Sequence, residues 1–374
     1  MRGRTRLVRQ FYLARARASL FRDLGAAHSL RSWRADRELE KALPARRESF
    51  TRTMWQEAAV TLDASFRELA PWLFEFCRSG LAVHVLGQRT PFADPVSIEV
   101  ASAKDLTYEL LARAGVRVPQ HIVVHRSARR AACAFLEAGH IPLVVKPARG
   151  GGGGRGVTPS IETAPQLERA LHLAGSASER VIVERQVVGE HFRFLLLDGE
   201  VLDVIRRGRP EIIGDGTSTI GELMFAEHDL RLQTDSIEEM KPFAVDLDCL
   251  FTLERQNLHL STRLPEGSTV VVKSATNTSS SRMCATVREP VAPDLIDQVR
   301  AAAAAVGVRL AGVDVVAPDV AESLAASGGA VLEVNPIPGL QHHYNVADPE
   351  AATKVAIPVL EALFAQRAAP AENP

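Results

Sequence analysis

Residues 144–158 read VVKPARGGGGGRGVT: Lys146 is followed by five consecutive glycines, Gly150–Gly154, set between Arg149 and Arg155, with Gly156 just beyond. Glycine costs roughly 0.5–1 kcal/mol relative to alanine in regular structure, so such a run persists only where the backbone must bend, move or approach something closely. A hairpin of bare N–H groups beside a lysine can fold over a polyphosphate. Its other reading is a flexible surface hairpin. The run satisfies G-x-G-x-x-G at Gly151, Gly153 and Gly156, but a five-glycine stretch meets that pattern almost automatically. A dinucleotide site needs a helix next, and here the strand-like VTPSI follows. No Gly-Lys-Ser/Thr closes the run as in a P-loop.

A second constellation stands downstream in GVDVV (312–316) and LEVNP (332–336). Asp314, Glu333 and Asn335 are oxygen donors, and Glu333 and Asn335, two apart on an expected strand, share one face. Two carboxylates and an amide suit Mg²⁺, a hard cation held by carboxylates together with phosphates. The bland alternative is a pair of half-exposed strands with ordinary polar faces.

The elements that must position these groups are legible from periodicity. Residues 7–70 read as helical, with apolar residues at three- and four-residue spacing in LVRQFYLARARASLFRDL and FTRTMWQEAAVTLDASFRELAPWLFEF. LAVHVLG is a short strand, and RTPFADPVSIEV a proline-containing loop running into another. From about residue 101, capped helices alternate with apolar strands, including IPLVVKPA, RVIVERQVVG, LAGVDVVAPD and GAVLEVNP. FRFLLLDGEVLDVIRR is a hairpin turning at Asp198-Gly199. The expected class is α+β with a mixed sheet.

Composition bounds the rest. The 374 residues are 46% hydrophobic and 24% charged, as in a soluble globular protein long enough for two or three packed units. A net charge of −1 gives no case for nucleic acid or an anionic membrane as partner. No apolar stretch reaches the ~18–20 residues of a membrane span. Cys77, Cys133, Cys249 and Cys284 lack metal-binding spacing and are read as reduced, buried thiols of a cytoplasmic protein.

From about Lys104 to Glu361 the landmarks KDLTYELLARAGVRVP, VVKPARGGGGGRGVT, VIVERQVVGEHFRFLLLDGEVLDVIRR, IIGDGTSTIGEL, LAGVDVV and LEVNPIPGLQHH come in one order. In that order the sequence resembles the ATP-grasp superfamily. Within it, the resemblance is to the ligase domain of cyanophycin synthetases and to glutathione-synthetase-like ligases. The resemblance implies an ATP-grasp fold, two α/β subdomains clamping ATP, over residues 104–374, with a lid subdomain at about 119–186. A mainly helical N-terminal region (1–75) and a short α/β segment (76–103) would precede it. It implies a carboxylate–amine ligase: ATP phosphorylates a carboxylate to an acyl phosphate, and an amine then attacks, releasing ADP and phosphate. An ATP-grasp kinase and a non-catalytic nucleotide-binding regulator are the competing readings. The substrates would be amino acids or peptides. Residues 1–100 carry no part of the resemblance; a separate N-terminal region suggests peptide natural-product biosynthesis as the setting, and its helices could form a substrate-binding domain, a homodimer interface, or a dock for a peptide or carrier protein.

Residue by residue, the resemblance implies that Lys104 and Lys146 contact ATP phosphates. Gly151, Gly152, Gly153, Gly154, Arg155 and Gly156 would close over them. Glu184 and Val187 would lie at the adenine hinge, with His191 at the ribose position, where relatives often carry an acid. Arg193 and Arg207 would stabilise the transferring phosphate, and Asp314, Glu333 and Asn335 would bind Mg²⁺, for which Mn²⁺ could substitute. In NTSSSRMC, where cyanophycin synthetases carry a glycine-containing loop, Asn277 and Ser279 are substrate candidates, and Arg282 would either clamp a substrate carboxylate or be a solvated surface arginine. After LEVNPIPGL, where relatives often have arginine, stand Gln341, His342 and His343; Gln341 and His343 are further substrate candidates. These departures, and the lack of a Mur-ligase-like half in these residues, lead to the expectation of a product other than cyanophycin.

Overall fold

The computed structural model describes residues 30, 34, 37–38, 41–150, 154–233, 245–276 and 280–368. The helical expectation for residues 1–29 lies outside the described residues. Helix α1 (41–61) turns Thr51, Met54, Trp55, Ala58 and Ala59 inward at helical spacing.

The helix does not continue to residue 70 as its periodicity suggested. Instead β1 (Ser65–Ala70), β2 (Leu73–Arg78) and β3 (Leu81–Leu86) form an antiparallel meander. LFEFCR alternates, so Phe74 and Phe76 are buried, and Phe76 packs 5.7 Å from the Trp55 ring. Trp72 (φ 68) and Ser79-Gly80 (φ 51 and 79) close the two turns. The strand expected in RTPFADPVSIEV is also corrected. Asp94 accepts from the N–H groups of Val96 (2.8 Å) and Ser97 (3.0 Å) and caps α2 (Pro95–Ser102), with Pro95 in its first turn.

Helix α3 (Lys104–Arg113) leads into a four-stranded antiparallel sheet built from β4 (His121–His125), β5 (Leu143–Pro147), β6 (Thr158–Ile161) and β7 (Arg180–Arg185), in the order β4-β7-β5-β6. Helices α4 (Arg129–Glu137) and α5 (Ala164–Gly175) cover it over a core of Leu143, Val145, Ile161, Leu167 and Val183. The glycine run joins β5 to β6, so the hairpin reading of that segment holds.

Strands β8 (Glu190–Leu197) and β9 (Glu200–Arg207) turn at Asp198-Gly199 with φ 51 and 82, as the dipeptide predicted. A satellite unit follows: β10 (Glu211–Ile213), α6 (Ile220–Gln233), α7 (Leu247–Arg255) and β11 (Thr269–Val271) around Ile220, Met224 and Leu253. The chain then adds β12 (Cys284–Thr286), α8 (Pro293–Val306), β13 (Leu310–Ala317), α9 (Leu324–Ser327), β14 (Ala330–Asn335) and α10 (Ala356–Ala368). The central five-stranded antiparallel sheet runs β12-β9-β8-β13-β14.

One face of that sheet, carrying Phe192, Phe194, Leu196, Val313 and Val315, packs on Leu295 and Val299 of α8. The opposite face is divided. Its far half, with Leu195, Leu197 and Leu310, packs on Trp55, Phe74, Leu360 and Leu363 from α1, the meander and α10. Its near half carries His191, Arg193 and Asp314. Of the four cysteines expected to be buried, Cys249 and Cys284 are; Cys77 and Cys133 are half-buried. Among the described residues, no helix is long and apolar enough to cross a membrane.

Candidate active site

The near half of the divided face floors a cavity of about 380 Å³, and the four-stranded sheet roofs it. Lys146 reaches it from β5, Glu184 from β7, and Gly154 from the glycine connection. The floor supplies His191, Arg193, Arg207, Asp314, Glu333 and Asn335. Lys104, first residue of α3, enters from the side.

Strand register places the floor groups. Arg193 on β8 stands directly opposite Asp314 on β13, and Asp314 opposite Glu333 on β14. The register shifts just after Asp314, so β14 carries an extra residue there. This bulge lets the consecutive residues Leu332 and Glu333 both line the cavity. Arg193 grips Asp314 with two donors: Nε bonds Oδ1, and Nη2 reaches Oδ2 at 2.7 Å. Asn335 Nδ2 donates to Asp314 Oδ2 at 3.2 Å, and Lys104 Nζ pairs with Glu333 Oε1. Burial alone would raise the Asp314 carboxyl, but Arg193 outweighs it, so the group is held below the usual carboxylate range.

The roof holds its own network. Lys146 Nζ donates to the Tyr108 hydroxyl at 2.6 Å and lies 2.9 Å from Glu184 Oε2, to which the Tyr108 hydroxyl donates at 2.9 Å. Burial and then the Glu184 charge push the Tyr108 phenol well up, so it remains a neutral donor.

Five cationic side chains and three carboxylates line the cavity. Each carboxylate has a cationic partner in Lys104, Lys146 or Arg193. Among the described residues, no carboxylate pairs with Arg207 or Arg209: Arg207 Nη2 donates to the Thr276 carbonyl at 2.9 Å, and Arg209 Nη2 to the Gly189 carbonyl at 3.4 Å. Burial and then Arg193 lower Arg207 from its ordinary value. Burial, Arg207 and Arg209 together hold His191 down at about 4, which keeps the imidazole neutral at pH 7. The cleft therefore has an excess of positive charge that no acid among the described residues neutralises. That suits a polyanion.

Twelve sequence candidates converge on this cavity: Lys104, Lys146, Gly154, Glu184, Val187, His191, Arg193, Arg207, Asp314, Glu333, Asn335 and Gln341. Arg155 and Gly156 lie in the β5–β6 connection, off the cavity lining; Gly156 (φ 76) packs on the Pro147 ring. Two candidates are corrected. Arg282 is exposed, and its guanidinium is tied to Glu227 of α6 rather than aimed into the cleft. His343 is fully buried and bonds Asp203 Oδ2 through Nδ1 at 2.6 Å; its neighbour His342 lines the cavity instead. Gly151, Gly152, Gly153, Asn277 and Ser279 lie outside the described residues.

Other groups were not foreseen. Arg209 follows Arg207 by two residues, and Tyr108 follows Lys104 by four on a helix, so both carried a readable spacing signal. Gln186, Ser274 and Thr276 had none. Asp314, Glu333 and Asn335 fit a hard cation by donor chemistry and common orientation, although no cluster of three or more acidic, His or Cys side chains forms a metal site by itself among the described residues.

Residues 110–216 match the family described as D-ala D-ala ligase C-terminus. Cyanophycin synthetase of Geminocystis herdmanii is 32% identical over 273 residues, covering 72% of this chain and 31% of that protein. That stretch matches a ligase domain of ATP-grasp type. A second relative, the glutathione biosynthesis bifunctional protein of Mannheimia succiniciproducens, is 26% identical over 264 residues, covering 69% of this chain and 34% of its own. The chain thus spans about a third of the length of the curated relatives it matches. The solved bifunctional glutathione synthetase of Pasteurella multocida superposes with a TM-score of 0.52 at 20% identity, over 81% of this chain and 42% of that one. At that identity the likeness is one of fold, an α+β architecture shared over 81% of this chain.

Proposed function

We propose that this chain is an ATP- and Mg²⁺-dependent ligase that joins a carboxylate of an amino acid or peptide to an amine through an acyl phosphate, releasing ADP and phosphate. The observation that carries the reading is Arg207: a half-buried guanidinium in a cleft of about 380 Å³, with no carboxylate partner among the described residues. Phosphoryl transfer is mainly positioning and charge neutralisation, and a cation left unpaired in the ground state is available to a transferring phosphoryl group.

Val144, Val187 and Leu332 give the cleft an apolar slot for a purine. Neutral His191 can hydrogen-bond a ribose hydroxyl. Lys104 and Lys146 neutralise phosphates, with Lys146 held in place by Tyr108 and Glu184. Asp314, Glu333 and Asn335 would hold Mg²⁺, which neutralises phosphate oxygens when bound. The substrate carboxylate attacks the γ-phosphorus and ADP leaves. The amine then attacks the acyl carbon, phosphate leaves, and the ammonium proton passes to phosphate or water. Arg193 and Arg207 flank the site of both charge developments. A cytoplasmic location and self-association through the N-terminal helices belong to the same reading.

Purified protein with ATP, Mg²⁺ and pooled amino acids and dipeptides is expected to release ADP and phosphate. A new mass equal to two pool members minus water should accompany them. AMP release, or ADP with only a phosphorylated small molecule, would overturn the reading.

A further inference from the structure

The N-terminal module closes a second cavity beside the nucleotide cleft. It has a volume of about 570 Å³ and lies between α1, the β1–β2 turn, the residues after β3 and the loop after β14. Gly339 and Gln341 line both cavities, so the two meet at that loop. The loop is held from the N-terminal side, since Gln88 Oε1 accepts from the Leu340 N–H at 2.7 Å.

The chemistry of the second cavity differs from that of the first. Its charged lining is Arg47 from α1 and Arg89 after β3, with no carboxylate. Among the described residues, neither guanidinium has an ion pair or a side-chain hydrogen bond. Phe50, Trp72, Leu86 and Ile337 supply apolar walls. Trp72 sits at φ 68, a left-handed conformation that bulky residues rarely adopt and that persists where surrounding structure enforces it. Gly87 enforces it here. Its N–H donates to the Trp72 carbonyl at 2.6 Å, and a Cβ at Gly87 would lie 3.0 Å from Trp72 Cε3. At the junction of the cavities, Gln341 Oε1 is buried and, among the described residues, has no hydrogen-bond partner.

Resting on the ligase reading above, we infer that this second cavity seats one of its substrates, an acidic, partly apolar amino-acid derivative or short peptide. Its anionic group lies on Arg47 and Arg89, and its apolar part lies against Trp72 and Phe50, beside the entrance to the cleft. The N-terminal module is then a specificity element for the reaction in the neighbouring cavity.

The test is ligand-observed NMR binding with two dipeptide sets, acidic (Glu-Leu, Asp-Phe) and basic (Lys-Leu, Lys-Phe). Both are measured on the full chain and on Arg47→Glu/Arg89→Glu, with Mg-ATP affinity determined in parallel. Both arginines are exposed, so the variant should fold, and matching melting temperatures would show it. The acidic set should bind the wild type, and the variant should bind it about tenfold more weakly or worse, with Mg-ATP affinity unchanged. Acidic peptides binding no better than basic ones, or equally well to both proteins, would overturn the assignment while intact Mg-ATP binding left the nucleotide site standing. Failure of the wild type to bind Mg-ATP would remove the ligase reading and this inference with it.

Discussion

Arg207 enters the cleft half-buried, bonded to a backbone carbonyl and, among the described residues, to no carboxylate, while Lys104, Lys146 and Arg193 are each committed to an acid. Arg207→Ala should therefore lower kcat on the order of 10²-fold while Mg-ATP affinity changes only a few-fold, as expected for a contact that strengthens in the transition state. A matching rise in KM with kcat intact would instead make it a ground-state binding group. His191 makes a separate prediction. Held at about 4 rather than its ordinary 6.5, it is protonated in the unfolded chain and not in the folded one between those values. Without nucleotide, stability is retained above about pH 6.5 and lost as pH falls toward 4, on the order of 3 kcal/mol from this group. Urea unfolding at about pH 7 and about pH 4.5 checks it: His191→Gln should lose less stability on acidification than the wild type, and parallel losses would contradict it. Most of these residues could be found in the sequence because motif order fixed them. Arg282 could not be ruled out there, because its partner Glu227 is 55 residues away in α6.

Two elements show where local pattern misleads. PVSIEV alternates like a strand, yet Asp94-Pro95 supplies both the cap and the preset first turn of α2. Asp94→Ala should cost about 1 kcal/mol in denaturant unfolding; no loss would mean that packing alone holds α2. The β1–β2 turn was missed because its left-handed position is filled by Trp72 rather than by glycine or asparagine. The β8–β9 hairpin was readable for the opposite reason: Asp198-Gly199 is what its turn geometry demands. The β14 bulge, which brings Leu332 and Glu333 to one cavity, carries no glycine or proline signal and emerges only from pairing with β13.

The whole molecule is organised by the divided face of the central sheet, polar where it floors the cleft and apolar where α1, the meander and α10 cover it. The N-terminal module and the catalytic sheet thus share one core through Leu195, Leu197, Leu310 and Trp55. Trp55 is fully buried, and its Nε1 donates to the Gly87 carbonyl at 2.7 Å. Trp55→Phe should shift the melting of both the N-terminal module and the ATP-binding unit together, in a single cooperative transition. Separate transitions by tryptophan fluorescence and far-UV circular dichroism would show independent units. Sequence periodicity could not reveal this sharing, because alternation shows that both faces of β8 are apolar at their far end but not what covers each one.

The central claim, that carboxylate oxygen is transferred to phosphorus in this cleft, is tested most directly with substrates carrying ¹⁸O in their carboxylates. The amino-acid and dipeptide pool, exchanged in this way, is incubated with ATP, Mg²⁺ and protein, and the released phosphate is analysed by mass. One ¹⁸O per phosphate, in step with ADP and with product, is the predicted result. Unlabelled phosphate released with ADP, or label appearing in AMP, would contradict it.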